Sequence, residues 1–97
     1  MTTEREACEA KIPEPTMETL KAWVDSGRPV GGFTGAVLSN DLLEAFRRAD
    51  LSNRRCIFDI VYWLENWAPR GSYGYAGVLK EWPEVLRTRR AHGEVAG

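Results

Sequence analysis

The chain has 97 residues, which is one domain, because two cores of half that size would bury too little to offset their chain entropy. The hydrophobic set makes up 43% and the charged set 28%, so wholesale disorder is excluded. Thirteen Lys and Arg stand against fourteen Asp and Glu, for a formal charge of -1. A protein that lives on nucleic-acid phosphates carries an excess of cations, and none is present, so nucleic acid is not the expected partner. The same balance disfavours anionic membranes.

Residues 1–12 are polar and hold no sustained period, which predicts a flexible leader, frayed or weakly helical. No apolar run reaches the length of a membrane span, and Met1 to Glu6 lacks the apolar stretch of a signal peptide. A cytoplasmic location is therefore expected. Cys8 and Cys56 are read as two free thiols in a reducing compartment.

The expected helical domain covers residues 13–88. Pro13 and Pro15 punctuate the chain, and a helix is predicted to begin near Thr16. Met17, Leu20, Trp23 and Val24 fall on one face of it. Gly27 and Pro29 stop it. The glycine-rich stretch from Val30 to Gly35 then leads into a second apolar pattern, Phe33, Ala36, Val37, Leu42, Leu43 and Phe46. This segment reads as one helix from about Gly32 to Ala49, or as two helices broken near Asn40 with Asn40 or Asp41 as the second cap. One long helix, kinked if need be, is the preferred reading. Asp50 and Ser52 suit the start of a third helix with Ile57, Ile60, Val61 and Leu64 on its face. Cys56, Trp63 and Trp67 widen that stripe, with Phe58 and Tyr62 on its flanks. Such breadth implies a helix contacted from several sides, or one with a side kept for a partner. Pro69 ends it. Residues 70–77 are a loop by composition, with room for a short paired segment. Val78, Leu79, Trp82, Val85 and Leu86 mark a last helix, and residues 89–97 are expected to fray. The fold class is thus all-α, a compact bundle of three to four helices.

Catalysis finds little support. The single histidine, His92, lies in the basic tail, whereas nucleophilic catalysis needs an oriented base in a dry cleft. Cys8, Cys56 and His92 match no metal-ligand spacing, and Asp41, Glu44, Asp50 and Asp59 are spread along helical faces. No phosphate-binding loop is complete. The expectation is a binding protein with no catalytic residues, metal or cofactor.

Two groups of residues are candidates for binding. Trp67, Arg70, Tyr73 and Tyr75 gather aromatics around an arginine, the composition of an interface hot spot. Arg47 and Arg48 close the second helical segment and Arg54 and Arg55 open the third, so all four are expected at one end of a helical hairpin, where they could hold an anion. Arg28, ahead of Gly31 and Gly32, adds a second potential anion site. A nucleotide would need both an arginine for its phosphate and an aromatic for its base.

The stretch from Gly31 to Asp50 (GGFTGAVLSNDLLEAFRRAD), followed by Asn53 and by Ala68 to Gly74 (APRGSYG), resembles a group of small proteins carried by bacteriophages and prophages. The resemblance spans about half the chain. Members of that group more often carry a bulky residue at the place of Thr34 or Gly35 and a tryptophan near that of Tyr73. It implies a phage accessory protein that acts in counter-defence, by binding and inhibiting a host protein; the alternative is sequestration of a nucleotide or cyclic-nucleotide signal. It brings no catalytic residues with it. A homo-oligomer is compatible with either reading.

Overall fold

The computed structural model describes residues 2–93. Within them the protein is all-helical, with seven α-helices and one 3₁₀ turn: α1 (Glu4–Ala10), α2 (Glu14–Ser26), α3 (Gly32–Leu38), α4 (Leu42–Arg48), α5 (Leu51–Arg55), α6 (Ile57–Trp67), the 3₁₀ turn (Arg70–Ser72) and α7 (Val78–Ala91). No strand occurs among the described residues, and residues 70–77 form turns in place of a paired segment. The expected three to four helices become seven because both long segments in the middle of the chain are broken and the leader is ordered.

Within the leader, Glu4–Ala10 form a helix. Thr3 and Glu6 form a capping box, each side chain accepting the other's backbone N–H at 3.1 Å. Cys8 and Ile12 enter the core, and α1 packs on α6. Glu9 binds the pair together. Its carboxylate accepts from the indole of Trp63 at 2.8 Å, from Arg5 at 3.0 Å and from Lys21 at 3.3 Å. Burial pushes the Glu9 carboxyl up, but the donated bonds from Trp63, Arg5 and Lys21 outweigh it and hold the group below its usual range. A carboxyl depressed in the folded state contributes stability above its unfolded pKa and loses it as pH falls through the folded one. The docking of α1 is therefore expected to weaken on acidification below the ordinary glutamate range. The check is the indole N–H resonance of Trp63 followed by NMR against pH, and Glu9→Gln should flatten that titration.

In α2 the period fixes the packing. Met17, Leu20, Trp23 and Val24 are buried as predicted, the prolines occupy the cap and first turn, and Gly27 ends the helix at φ 66°.

The preferred single helix across Asn40 is overturned. Asn40 takes φ 62°, the N–H of Asp41 donates to the Ala36 carbonyl at 2.9 Å and that of Asn40 to Val37 at 3.1 Å. This pair of bonds around a left-handed residue is a Schellman stop. Two further contacts hold the break. Asp41 caps α4 through the N–H of Glu44, and the N–H of Gly74 donates to the freed Leu38 carbonyl at 2.7 Å. The next segment also divides. Asp50 caps α5, and Cys56, at φ -119° and ψ 14°, ends it with a tight bond to the Asn53 carbonyl before α6 begins.

The core is built on three tryptophans, Trp23, Trp63 and Trp82, each almost fully buried. Each of the three indole N–H groups has a partner: Glu9 for Trp63, the Ser72 carbonyl for Trp23 at 2.8 Å, and the Trp23 carbonyl for Trp82 at 3.0 Å. The last two bonds chain α2, the 3₁₀ turn and α7 together. α7 runs past the expected boundary to Ala91, and of the expected frayed tail the residues 94–97 lie outside the described residues. The molecule measures 41 × 36 × 19 Å, so its thin dimension is only about two helix diameters.

Candidate partner-binding surfaces

The 70–77 loop is part of the fold's own bonding. Trp67 ends α6 half-buried, and Arg70 stands exposed on the 3₁₀ turn. Tyr73 and Tyr75 are half-buried against the core. The Tyr73 hydroxyl donates to Glu65, and that bond, with burial and the Glu65 charge behind it, pushes the phenol up. The Tyr75 hydroxyl donates to the Gly71 carbonyl at 3.0 Å.

The arginines have different partners. Arg47 and Arg48 both turn to Glu44, at 3.8 and 3.0 Å. Arg48 also lies across α3, so close that a Cβ on Gly32 would meet its guanidinium at 2.7 Å. Arg54 sits 4.9 Å over the ring of Phe46 and donates to the Phe46 carbonyl at 3.3 Å, closing the end of α4. Arg55 rims an open depression of about 810 Å³ that also presents Glu6, Glu9, Glu14, Lys11 and Lys21. Arg28 borders a separate hollow beside Glu18 and Thr19. The four arginines of the hairpin thus have three different settings, and three carboxylates match the three cations around the depression at Arg55.

No three His, Cys, Asp or Glu side chains converge among the described residues. His92 is exposed at the end of α7. Cys8 and Cys56 are buried free thiols, and burial pushes both up, away from the nucleophilic thiolate. No helix of the described residues is long and apolar enough to cross a membrane.

What the molecule does present is apolar surface, in two places. On α6, Ile60, Trp63 and Leu64 face the core while Phe58 stands 77% exposed beside Val61 and Tyr62. Phe58 stacks on Tyr62 with ring centroids 6.3 Å apart, and Tyr62 meets the edge of Trp67 at 5.9 Å. The Tyr62 hydroxyl donates to Glu4 on α1; that bond and the Glu4 charge push the phenol up. Phe58, Tyr62 and Trp67 are therefore a ladder of rings, pinned at the middle rung. A small groove of about 210 Å³ runs beside it, between Ala7, Cys8 and Lys11 of the α1 segment and Phe58, Asp59 and Tyr62.

The second surface is α4. Leu42, Leu43 and Phe46, which form part of the second apolar pattern of the sequence, are 53–66% exposed, and Leu51 beside them is 63% exposed. The exposure has a physical cause. α4 leans chiefly on α3, and the residues of its segment that are buried are Ala45 and Ala49. Two small side chains one turn apart let the backbones approach closely and turn the large ones outward. The sequence signal for this was the alanine pair; the signal for the α6 surface was the excessive breadth of its apolar stripe. No family model matches the chain, and neither a curated protein nor a solved structure matches it.

Proposed function

We propose that this protein is a non-enzymatic binding protein that docks a protein partner on the aromatic ladder of α6. The observation that carries the reading is Phe58, a large aromatic 77% exposed yet already ordered by stacking on Tyr62. Ordered rings lose little freedom on binding, which is why aromatic side chains dominate interface hot spots. Trp67 belongs to the ladder, Arg70 follows it on the exposed turn, and Tyr73 and Tyr75 brace that turn from the core side. The resemblance to phage-encoded proteins supports a host protein as the partner, and inhibition of a defence component as the outcome. Sequestration of a nucleotide is the weaker reading, because Arg47, Arg48 and Arg54 are already engaged by Glu44 and Phe46.

Affinity capture from host lysate tests this, with the native protein and Phe58→Ala as paired baits. The substitution is expected to lose about 2 kcal/mol of binding, roughly thirtyfold, as a hot-spot aromatic does. Its unfolding free energy should stay within about 0.5 kcal/mol of native, because the side chain is on water. A partner retained equally by both baits would sink the proposal. A nucleotide that raises the melting temperature of both proteins would transfer the function to the alternative reading.

A further inference from the structure

We propose that α1 is an acid-released strap, which holds the aromatic ladder of α6 in order while its carboxylates are charged and frees it when they are protonated. The proposal deepens the docking reading above, and its consequence for a partner rests on that reading.

Apolar contact holds the strap only weakly. α1 is seven residues long, and a helix of that length does not persist alone in water, so it exists because it is docked. Cys8 is its one buried residue, and Ile12 follows just beyond it. Glu9 is half-buried, and the other side chains of α1 are exposed. The remaining links to α6 are polar. The indole of Trp63 donates to Glu9 at 2.8 Å, the hydroxyl of Tyr62 donates to Glu4, and the Cys8 thiol donates to the Asp59 carbonyl at 3.4 Å. Two carboxylates of α1 thus grip two consecutive residues of α6.

One of those residues is the middle rung of the ladder. Tyr62 lies between Phe58 and Trp67, and among the described residues it is the ring on which Phe58 stacks. Phe58 also borders the groove against Ala7, Cys8 and Lys11. When α1 leaves, Tyr62 loses the partner of its hydroxyl and Phe58 loses that wall. The order of the ladder therefore depends on a helix outside α6.

Charge sets the trigger. Glu9 is faced by Arg5 at 3.0 Å on its own helix, by Lys21 at 3.3 Å on α2 and by the Trp63 indole on α6. Glu6 and Cys8 lie near it on α1, and Arg55 stands across the depression. Around Glu4 the groove adds Lys11, Asp59 and the Tyr62 phenol. Burial raises the Glu9 carboxyl, but the bonds from Trp63, Arg5 and Lys21 outweigh it and hold the group below its usual range. A carboxyl held low in the docked state stabilises docking at neutral pH and ceases to do so as pH falls through its folded value. α2, the 3₁₀ turn and α7 are joined by apolar contacts and by indole bonds to carbonyls, which do not titrate in this range. α1 therefore lets go before the domain does.

Nuclear magnetic resonance of the native protein between about pH 7 and about pH 2 tests this. The amides of Cys8 to Ala10 should become mobile, and the Overhauser cross-peaks between the Phe58 and Tyr62 rings should disappear over the same titration. The indole N–H signals of Trp23 and Trp82 should stay in place. At neutral pH, Glu9→Ala should speed exchange of the α1 amides at least about tenfold and weaken the ring cross-peaks, because it removes a charged acceptor. Glu4→Ala should weaken the ring cross-peaks while α1 stays docked, and Glu4→Gln, which keeps an acceptor, should preserve them. An α1 that stays ordered down to about pH 2 overturns the proposal. So does a ladder that keeps its cross-peaks after α1 has left, or a core that unfolds in the same step. Phe58→Ala tests the docking reading and leaves the Glu4 and Glu9 bonds intact, so strap and docking surface can fail separately.

Discussion

Trp23→Ala is expected to leave little of the protein folded at ambient temperature. The side chain is 2% exposed and stands where α2, the 3₁₀ turn and α7 meet. Removing a buried aromatic of this size costs about 3–5 kcal/mol, from lost transfer energy and the cavity left behind. A second loss is specific to this site. The indole N–H is the partner of the Ser72 carbonyl, and Ser72 is fully buried. An orphaned buried carbonyl adds about 1–3 kcal/mol. Together these approach the whole stability of a small domain, about 5–15 kcal/mol. Urea unfolding followed by far-ultraviolet circular dichroism measures the loss. Trp23→Phe separates its two parts, because it keeps most of the volume and drops the donor. A Trp23→Ala protein that unfolds within a few tenths of a molar of native urea midpoint would show that the turn is held by something other than the indole.

The same residue shows what was legible in the sequence. Between its prolines and Gly27, the α2 pattern named the four apolar residues that are buried, because a helix bounded on both sides by strong signals has only one register. On the expected faces of α6 and α7, Ile60, Leu64, Val78 and Trp82 are buried but Val61 and Leu79 are exposed, because the stripes were wider than the side that the core covers. Three features were not legible. α1 offers few apolar residues, and its capping box lay in a stretch too short for periodicity to register. The break at Asn40 depends on a left-handed residue and on the distant N–H of Gly74, which no local propensity reports. The loop from 70 to 77 reads as mobile by its glycines, but Trp23, Leu38 and Glu65 tie it down from elsewhere in the chain. The candidate surfaces were half legible. The breadth of the α6 stripe announced an excess of apolar residues, and Trp67 was named within it. Leu42, Leu43 and Phe46 were legible as an apolar face, but periodicity cannot tell whether anything covers it.

Gly27→Ala is expected to cost about 2–5 kcal/mol although it adds one methyl group. Two terms act together. Gly27 sits at φ 66°, where an L side chain loses about 1–2 kcal/mol. Its added Cβ would also lie 3.1 Å from the Cα and 3.2 Å from the Cβ of Pro83. Overpacking at such a site costs about 1–3 kcal/mol, and the upper part of that range applies when the neighbour cannot yield. Pro83 is inside α7, with its φ fixed by the ring, so relief requires the helix itself to move. Residue 82 moves with it, and the bond from the Trp82 indole to the Trp23 carbonyl is then strained. Gly27→Ala and Trp82→Phe should therefore be less than additive in a double-mutant cycle, because the first already damages the contact that the second removes. Gly31→Ala is the control. Gly31 has an ordinary extended conformation and open space where its Cβ would stand, so the substitution should cost only the cap preference of glycine over alanine, under about 1 kcal/mol. Equal losses at the two glycines would mean that chain flexibility, and not the close approach of α2 to α7, sets the requirement at Gly27.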